Sequence, residues 1–215
     1  MTGPFDWIET CPSPAYVVEE EKLLKNAQVL RDVARASGAR VLLALKAFAM
    51  HPVLPLIRDF TDGVCASGAW EARLGYEFIG KDVHSYNPGF SQERLAETLK
   101  YSRHVSLNSL NQWRRFENLR QAYAQQVSFG LRINPECSAS PVALYDPCAA
   151  GSRLGIRREE LNDGLPAGVE GLHMHVLCEQ DFSALEKVCA ALETRFGEFL
   201  TQVKWLNLGG GHHIT

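Results

Sequence analysis

No basic start followed by an apolar stretch opens this chain; MTGPFDWIETCPSP does not read as a signal peptide. No run of about 18 apolar residues occurs, which excludes a transmembrane helix of ordinary length. There is no excess of positive charge: 22 Lys+Arg stand against 25 Asp+Glu, a formal net charge of -3, so bulk attraction to nucleic acid is excluded as a driving force. The six cysteines (Cys11, Cys65, Cys137, Cys148, Cys178 and Cys189) are scattered and form no CxxC pair, the pattern of reduced thiols in the cytosol. No P-loop, GxGxxG or GxSxG elbow is found, and neither a repeat nor a low-complexity segment. Few segments are both polar and highly charged, so general disorder is excluded too.

What is present is an ordinary globular composition, 46% hydrophobic over 215 residues, enough to bury a core. The chain alternates short apolar runs with amphipathic stretches. AYVV at 15–18 predicts a strand. A helix follows near 20–37, with Leu23, Ala27, Leu30 and Ala34 on one face, acidic residues in its first turn and Gly38 closing it. VLLAL at 41–45 is continuously apolar, as for a strand buried on both faces. Further strands are expected near 63–66, 83–86, 104–107, 128–133, 170–175 and 203–208. Helices are expected near 52–60, 67–78, 91–100, 109–125 and 183–196. Ser109-x-x-Gln112 and Ser183-x-x-Glu186 read as capping boxes. Counting from VLLAL, seven strands alternate with helices, which predicts a parallel α/β sheet. A (β/α)8 barrel lacking one unit is favoured over a doubly wound sheet, since no switch point is visible. Such a barrel ordinarily needs about 250 residues. Residues 134–155, rich in Pro, Ala, Ser and Cys, break the rhythm, and long irregular segments of this kind are commonly functional or mobile.

Barrel enzymes place their chemistry at the C-terminal ends of the strands, and four such ends carry unusual residues. Lys46 ends VLLALKAF, where little solvent would lower its pKa and free the amine to form a Schiff base; the alternative is a lysine snorkelling to water. Gly209, Gly210 and Gly211 follow KWLNL, and three glycines let backbone N–H groups approach an anion such as phosphate; the alternative is a tight turn. His173 and His175 alternate along one strand and share a face. They read as metal ligands of a hydrolase, as a ring packed on a planar cofactor, or as hydrogen-bonded core histidines. Arg132 in GLRIN and Arg153 in GSRLG read as anion contacts or structural ion pairs. The adjacent His212 and His213 would point to opposite sides and make a poor metal pair.

Taken together, PSPAYVVEEEKL, LLALKAFAM, VCASGAWEARLG, LRINPE, DPCAAGSRLG, EGLHMHVLCEQ and WLNLGGGHHIT resemble the fold-type III pyridoxal-phosphate decarboxylases of the alanine racemase-like group, and within it the carboxynorspermidine (carboxyspermidine) decarboxylases. The resemblance is collinear from about residue 12 to residue 215. It implies pyridoxal 5'-phosphate as cofactor, held by Lys46, with His175 stacked on its ring, Gly209, Gly210 and Gly211 on its phosphate and Cys178 near that phosphate. Arg132 and Arg153 would line the site, and Glu179 would meet a substrate amine. No metal is implied. The implied reaction is decarboxylation of a polyamine carboxylate to norspermidine or spermidine by a cytoplasmic homodimer, with no nucleic-acid or membrane partner. The resemblance further implies an eighth barrel unit and a C-terminal β domain that would pair with the strand at 15–18 and complete the active site. The expectation is therefore that residues 1–19 belong with that β domain, that residues 20–215 are a partial barrel, and that the chain alone is inactive. A barrel-only, non-catalytic pyridoxal-phosphate binder and a metal-dependent hydrolase built on His173 and His175 are the alternatives.

Overall fold

The computed structural model describes residues 6–140 and 142–211. Seven strands form one parallel sheet in chain order: β1 (Leu42–Ala44), β2 (Gly63–Ala66), β3 (Asp82–Tyr86), β4 (His104–Leu107), β5 (Ser128–Arg132), β6 (Gly171–His173) and β7 (Trp205–Asn207). Each strand pairs with its successor, so no switch point exists and the doubly wound alternative is overturned. Helices α1 (Glu20–Ser37), α2 (Leu54–Ile57), α3 (Ala69–Phe78), α4 (Gln92–Leu99), α5 (Leu110–Arg115), α6 (Glu117–Tyr123) and α7 (Phe182–Leu200) occupy the connections.

The sheet curls. Trp205 on β7 meets His84 of β3 and His104 of β4 edge-on, with ring centroids 5.8 and 5.4 Å away, although three strands of the sheet lie between β7 and β3 and two between β7 and β4. The Cys65 thiol of β2 is hydrogen-bonded to the Asn207 side chain of β7. Only a sheet rolled into a barrel arc brings these strands face to face. No ladder joins β1 to β7 among the described residues.

The two faces of the sheet differ in chemistry. The convex face carries Val64, Ala66, Val83, Val105, Leu107, Phe129, Leu131 and Leu172, all buried. These pack under the helices, each full burial of a Val, Leu or Phe side chain stabilising by about 1.5–3 kcal/mol. The concave face carries Cys65, Asp82, His84, Tyr86, His104, Ser106, Ser128, Arg132, His173 and Asn207 at alternate positions. A barrel interior is ordinarily filled by branched apolar residues; a polar lumen marks a site. Gly130 and Gly171 face this lumen at the level of Trp205. A Cβ at Gly171 would lie 1.9 Å from the indole, and one at Gly130 2.5 Å from it. The two glycines therefore make room for one large ring.

Several sequence expectations are corrected. AYVV at 15–18, expected to pair with a domain outside this chain, has no ladder partner among the described residues, and Tyr16 is almost fully exposed, so that expectation stays open. β1 is half-buried rather than buried on both faces, because it is the outermost strand of the arc. The segment 52–60 is a short α-turn between two 3-10 turns, and Pro52 and Pro55, lacking N–H donors, interrupt the helical ladder. The expected helix 109–125 divides at Phe116, whose ring is fully buried while its backbone leaves the helical region. Ser109 caps α5 as expected, accepting from the Gln112 N–H, but the Gln112 amide accepts from Asn108 instead of Ser109. At α7 the cap is Asp181, which accepts from the N–H groups of Ser183 and Ala184, so Ser183 lies inside the helix. Gly38 closes α1 in the left-handed conformation, as read from sequence. The irregular segment 134–155 holds one short 3-10 turn at Ala143–Tyr145 and is pinned where it begins and ends by a bridge between Ile133 and Ile156.

Candidate active site

The C-terminal ends of the strands gather most of the sequence-picked residues. The β1 strand runs out at Ala44, and a turn closed by Ala44 O accepting from Ala47 N–H presents Lys46. Lys46 is exposed, so the expectation of a desolvated lysine is corrected: the turn lifts it to the barrel rim. Its charge still bears on the Cys65 thiol and the His173 ring. Burial pushes the Cys65 thiol up to about 11, with the Asn207 hydrogen bond and Lys46 pulling the other way.

His173 is 6% exposed, and its Nδ1 is buried without a hydrogen-bond partner. Burial first, then the cations Arg132 and Lys46 and the neighbouring imidazoles, hold it well below the ordinary histidine range. It is a neutral ring. His175 lies two residues on, its ring 6.4 Å from that of His173, and its Nδ1 accepts the Gly210 N–H at 3.3 Å. With His175 Nδ1 so engaged and no third ligand beside this pair among the described residues, the metal-hydrolase alternative finds no support in the geometry.

The glycine loop lies against the segment after β6. Gly209 and Gly211 have φ of 75 and 95°, and a Cβ on them would lie 2.6 Å from Met174 O and 2.1 Å from Leu177 O. Only glycine fits both positions. Gly210, between them, faces open space. Cys178 is exposed beside this loop: its backbone N would sit 3.1 Å from a Cβ on Gly211. Glu179 is exposed with φ 51°, a left-handed conformation uncommon for glutamate.

Arg132 is 4% exposed and does not point to solvent. Its Nη1 donates to the Tyr86 hydroxyl at 2.7 Å and its Nη2 to the His175 carbonyl at 2.9 Å, with the guanidinium 4.8 Å above the Tyr86 ring. The Tyr86 hydroxyl donates to Asn108 Oδ1 at 2.7 Å, and Asn108 in turn holds Arg153 O and Gly155 N–H. Arg153 enters this network through its backbone, while its side chain is exposed. Tyr86, Asn108, Cys65 and Asn207 are site residues that the strand pattern did not single out; a tyrosine ending one strand and asparagines ending two others were the available signals.

Residues of the rim thus supply an amine, a neutral buried imidazole with an unused nitrogen, a glycine loop open at Gly210 whose Gly209 and Gly210 N–H groups are held by Asn207 Oδ1 and His175 Nδ1, and surrounding cations. That set fits a phosphorylated aromatic aldehyde, with Lys46 as the covalent anchor and the glycine loop for the anion.

No family model matches the chain. The carboxynorspermidine/carboxyspermidine decarboxylase of Campylobacter jejuni is 42% identical over 207 residues, which cover 96% of this chain and 53% of the relative. The carboxyaminopropylagmatine decarboxylase of a Synechocystis species is 44% identical over 209 residues, 97% of this chain and 53% of the relative. The crystal structure of the Campylobacter jejuni carboxynorspermidine decarboxylase complexed with norspermidine superposes with a TM-score of 0.83 at 40% identity, over 95% of this chain and 52% of that one. A diaminopimelate decarboxylase from Helicobacter pylori has the same fold, with a TM-score of 0.76 at 17% identity. The fold is the parallel β/α barrel arc that these structures share. In sequence the chain is similar to the carboxynorspermidine/carboxyspermidine and carboxyaminopropylagmatine decarboxylases, and it spans about half the length of the curated relatives it matches.

Proposed function

We propose that the protein to which these 215 residues belong is a pyridoxal-phosphate-dependent decarboxylase acting on a carboxylated polyamine, with carboxynorspermidine, carboxyspermidine and carboxyaminopropylagmatine as the candidate substrates suggested by its relatives. The observation that carries this reading is the convergence of Lys46, the His173–His175 pair and the Gly209–Gly211 loop on one rim, tied by the Gly210 N–H to His175 Nδ1 contact. The pyridine ring of the cofactor, when bound, accepts the electrons left by loss of CO2 from the substrate α-carbon.

Lys46 would hold the cofactor through its Nζ. His175 would pack against the cofactor ring. Arg132, by gripping the His175 carbonyl, fixes the height of that imidazole. The Gly209–Gly211 loop and Cys178 receive the phosphate, and Arg153 and Glu179 stand at the entrance, where Glu179 meets a substrate ammonium. The irregular stretch before Ile156 is held to the site where Gln180 donates to Ala139 O and Asn108 donates to Arg153 O. The full enzyme works as a homodimer in the cytoplasm, and no helix among the described residues is long and apolar enough to cross a membrane.

The test is chemical labelling. The purified protein is mixed with pyridoxal phosphate, reduced with borohydride and digested. The label is expected on the Lys46 peptide, with loss of the label and of the visible absorption in Lys46→Ala. A label spread over surface lysines, or unchanged absorption in the variant, would overturn the assignment.

A further inference from the structure

The opposite end of the lumen carries a cluster that this function does not use. Asp82 and His84 open β3 on the concave face, and His104 opens β4 in register with His84. The two imidazoles stack at 3.9 Å with planes 17° apart. Neither ring makes a hydrogen bond to any described residue, and His104 Nδ1 is buried without a partner. A stacked, unbonded pair is a poor way to satisfy core histidines, since a buried nitrogen left unpaired costs about 1–3 kcal/mol. One ligand atom from each of Asp82, His84 and His104 lies within 4.8 Å of the others.

We propose that Asp82, His84 and His104 form a divalent transition-metal site at the N-terminal mouth of the barrel, taking Zn2+ with water in the remaining position. Two imidazoles and one carboxylate are a donor set that suits zinc and leaves an open fourth position. Binding draws the three ligand atoms inward by small side-chain rotations. Arg40 donates to Asp82 Oδ2 at 2.8 Å and orients the carboxylate, as outer-sphere groups do around metal ligands. Trp205 stands against both rings from the lumen side. On the outer side His104 borders a surface hollow of about 410 Å3 shared with Arg103, Ser128, Glu170 and Lys204, which gives an ion its way in. The Glu170 carboxylate in that hollow is held by Lys204 and Ser128, and Asp82, although paired with Arg40, is the carboxylate that lies with the two imidazoles.

The test uses the whole protein to which these residues belong, stripped with a chelator and titrated with Co2+ and then Zn2+. One ion per chain is expected, with cobalt bands of nitrogen and oxygen ligation, no thiolate charge-transfer band, and displacement of the cobalt by zinc. His84→Gln and His104→Gln are each expected to weaken binding at least ~10-fold, in the range that loss of a metal-ordering group produces. The His212→Ala/His213→Ala double variant is expected to bind as the unaltered protein does. In case a glutamine variant fails to fold, imidazole 15N resonances are followed in the intact protein, where those of His84 and His104 are expected to shift with zinc. Absence of binding, a thiolate-type spectrum, unchanged affinity in the glutamine variants, or shifts confined to His173, His175 or the terminal pair would overturn the proposal.

Discussion

The buried guanidinium of Arg132 holds the Tyr86 hydroxyl with one nitrogen and the His175 carbonyl with another, at 2.7 and 2.9 Å. Through this one side chain the ends of β3, β5 and the segment after β6 are fixed at a common height. Removing the hydroxyl in Tyr86→Phe leaves Arg132 Nη1 and Asn108 Oδ1 each short of a partner. The expected cost is about 1–3 kcal/mol, read as a lowered midpoint in urea unfolding. Arg132→Lys is expected to cost at least as much, because an ammonium cannot span both acceptors in the same plane.

The glycine loop gives a prediction that separates fold from ligand. Gly211→Ala forces a Cβ against Leu177 O at a positive φ, so it is expected to destabilise the protein and to abolish cofactor binding together. Gly210→Ala meets only open space. Its stability is expected to stay within about 0.5 kcal/mol of the unaltered protein, as for surface changes, while its affinity for pyridoxal phosphate falls. Loss of affinity with unchanged melting is the signature to look for, by calorimetry and thermal unfolding on the same samples.

Packing around the lumen indole provides a third. Gly171→Ala places a methyl where the Trp205 ring already lies, and overpacking of this kind typically costs about 1–3 kcal/mol. Trp205→Leu vacates that space. The double variant is expected to be more stable than the sum of the two single losses allows, a coupling that a double-mutant cycle in urea measures directly.

Acid stability is the fourth. His173 is held neutral in the folded protein, its pKa well below the unfolded value near 6.5. Between those two values the unfolded chain binds a proton that the folded chain refuses. The contribution of this residue is therefore fully present above about pH 6.5 and declines as pH falls below it, by up to about 1.4 kcal/mol per pH unit. His173→Gln is expected to flatten the fall of the melting temperature between pH 7 and pH 5. An unchanged slope would count against a neutral buried ring.

How much of this was legible in the sequence follows from what periodicity can encode. The seven strands and α1 could be read because apolar runs, Gly38 and the acidic first turn are local signals. The division at Phe116 could not, since it follows from where one buried ring must go. Lys46, His175 and the three glycines stood out as polar or flexible residues ending apolar runs. Tyr86, Asn108 and the His84–His104 pair did not, because their roles depend on which strands lie side by side or face one another across the lumen. The rolling of the sheet settles this, and no window of sequence contains it. The same holds for Cys65 and Asn207, 142 positions apart and hydrogen-bonded.

Trp205 divides the interior. Its indole donates to Ser128 Oγ at 2.8 Å and fills the space left by Gly130 and Gly171, with His84 and His104 on one side and Asn207, two residues on and in register with His173, on the other. The ring is thus the floor of the upper chamber. It limits how deep a small molecule entering from the strand ends can descend between the strands.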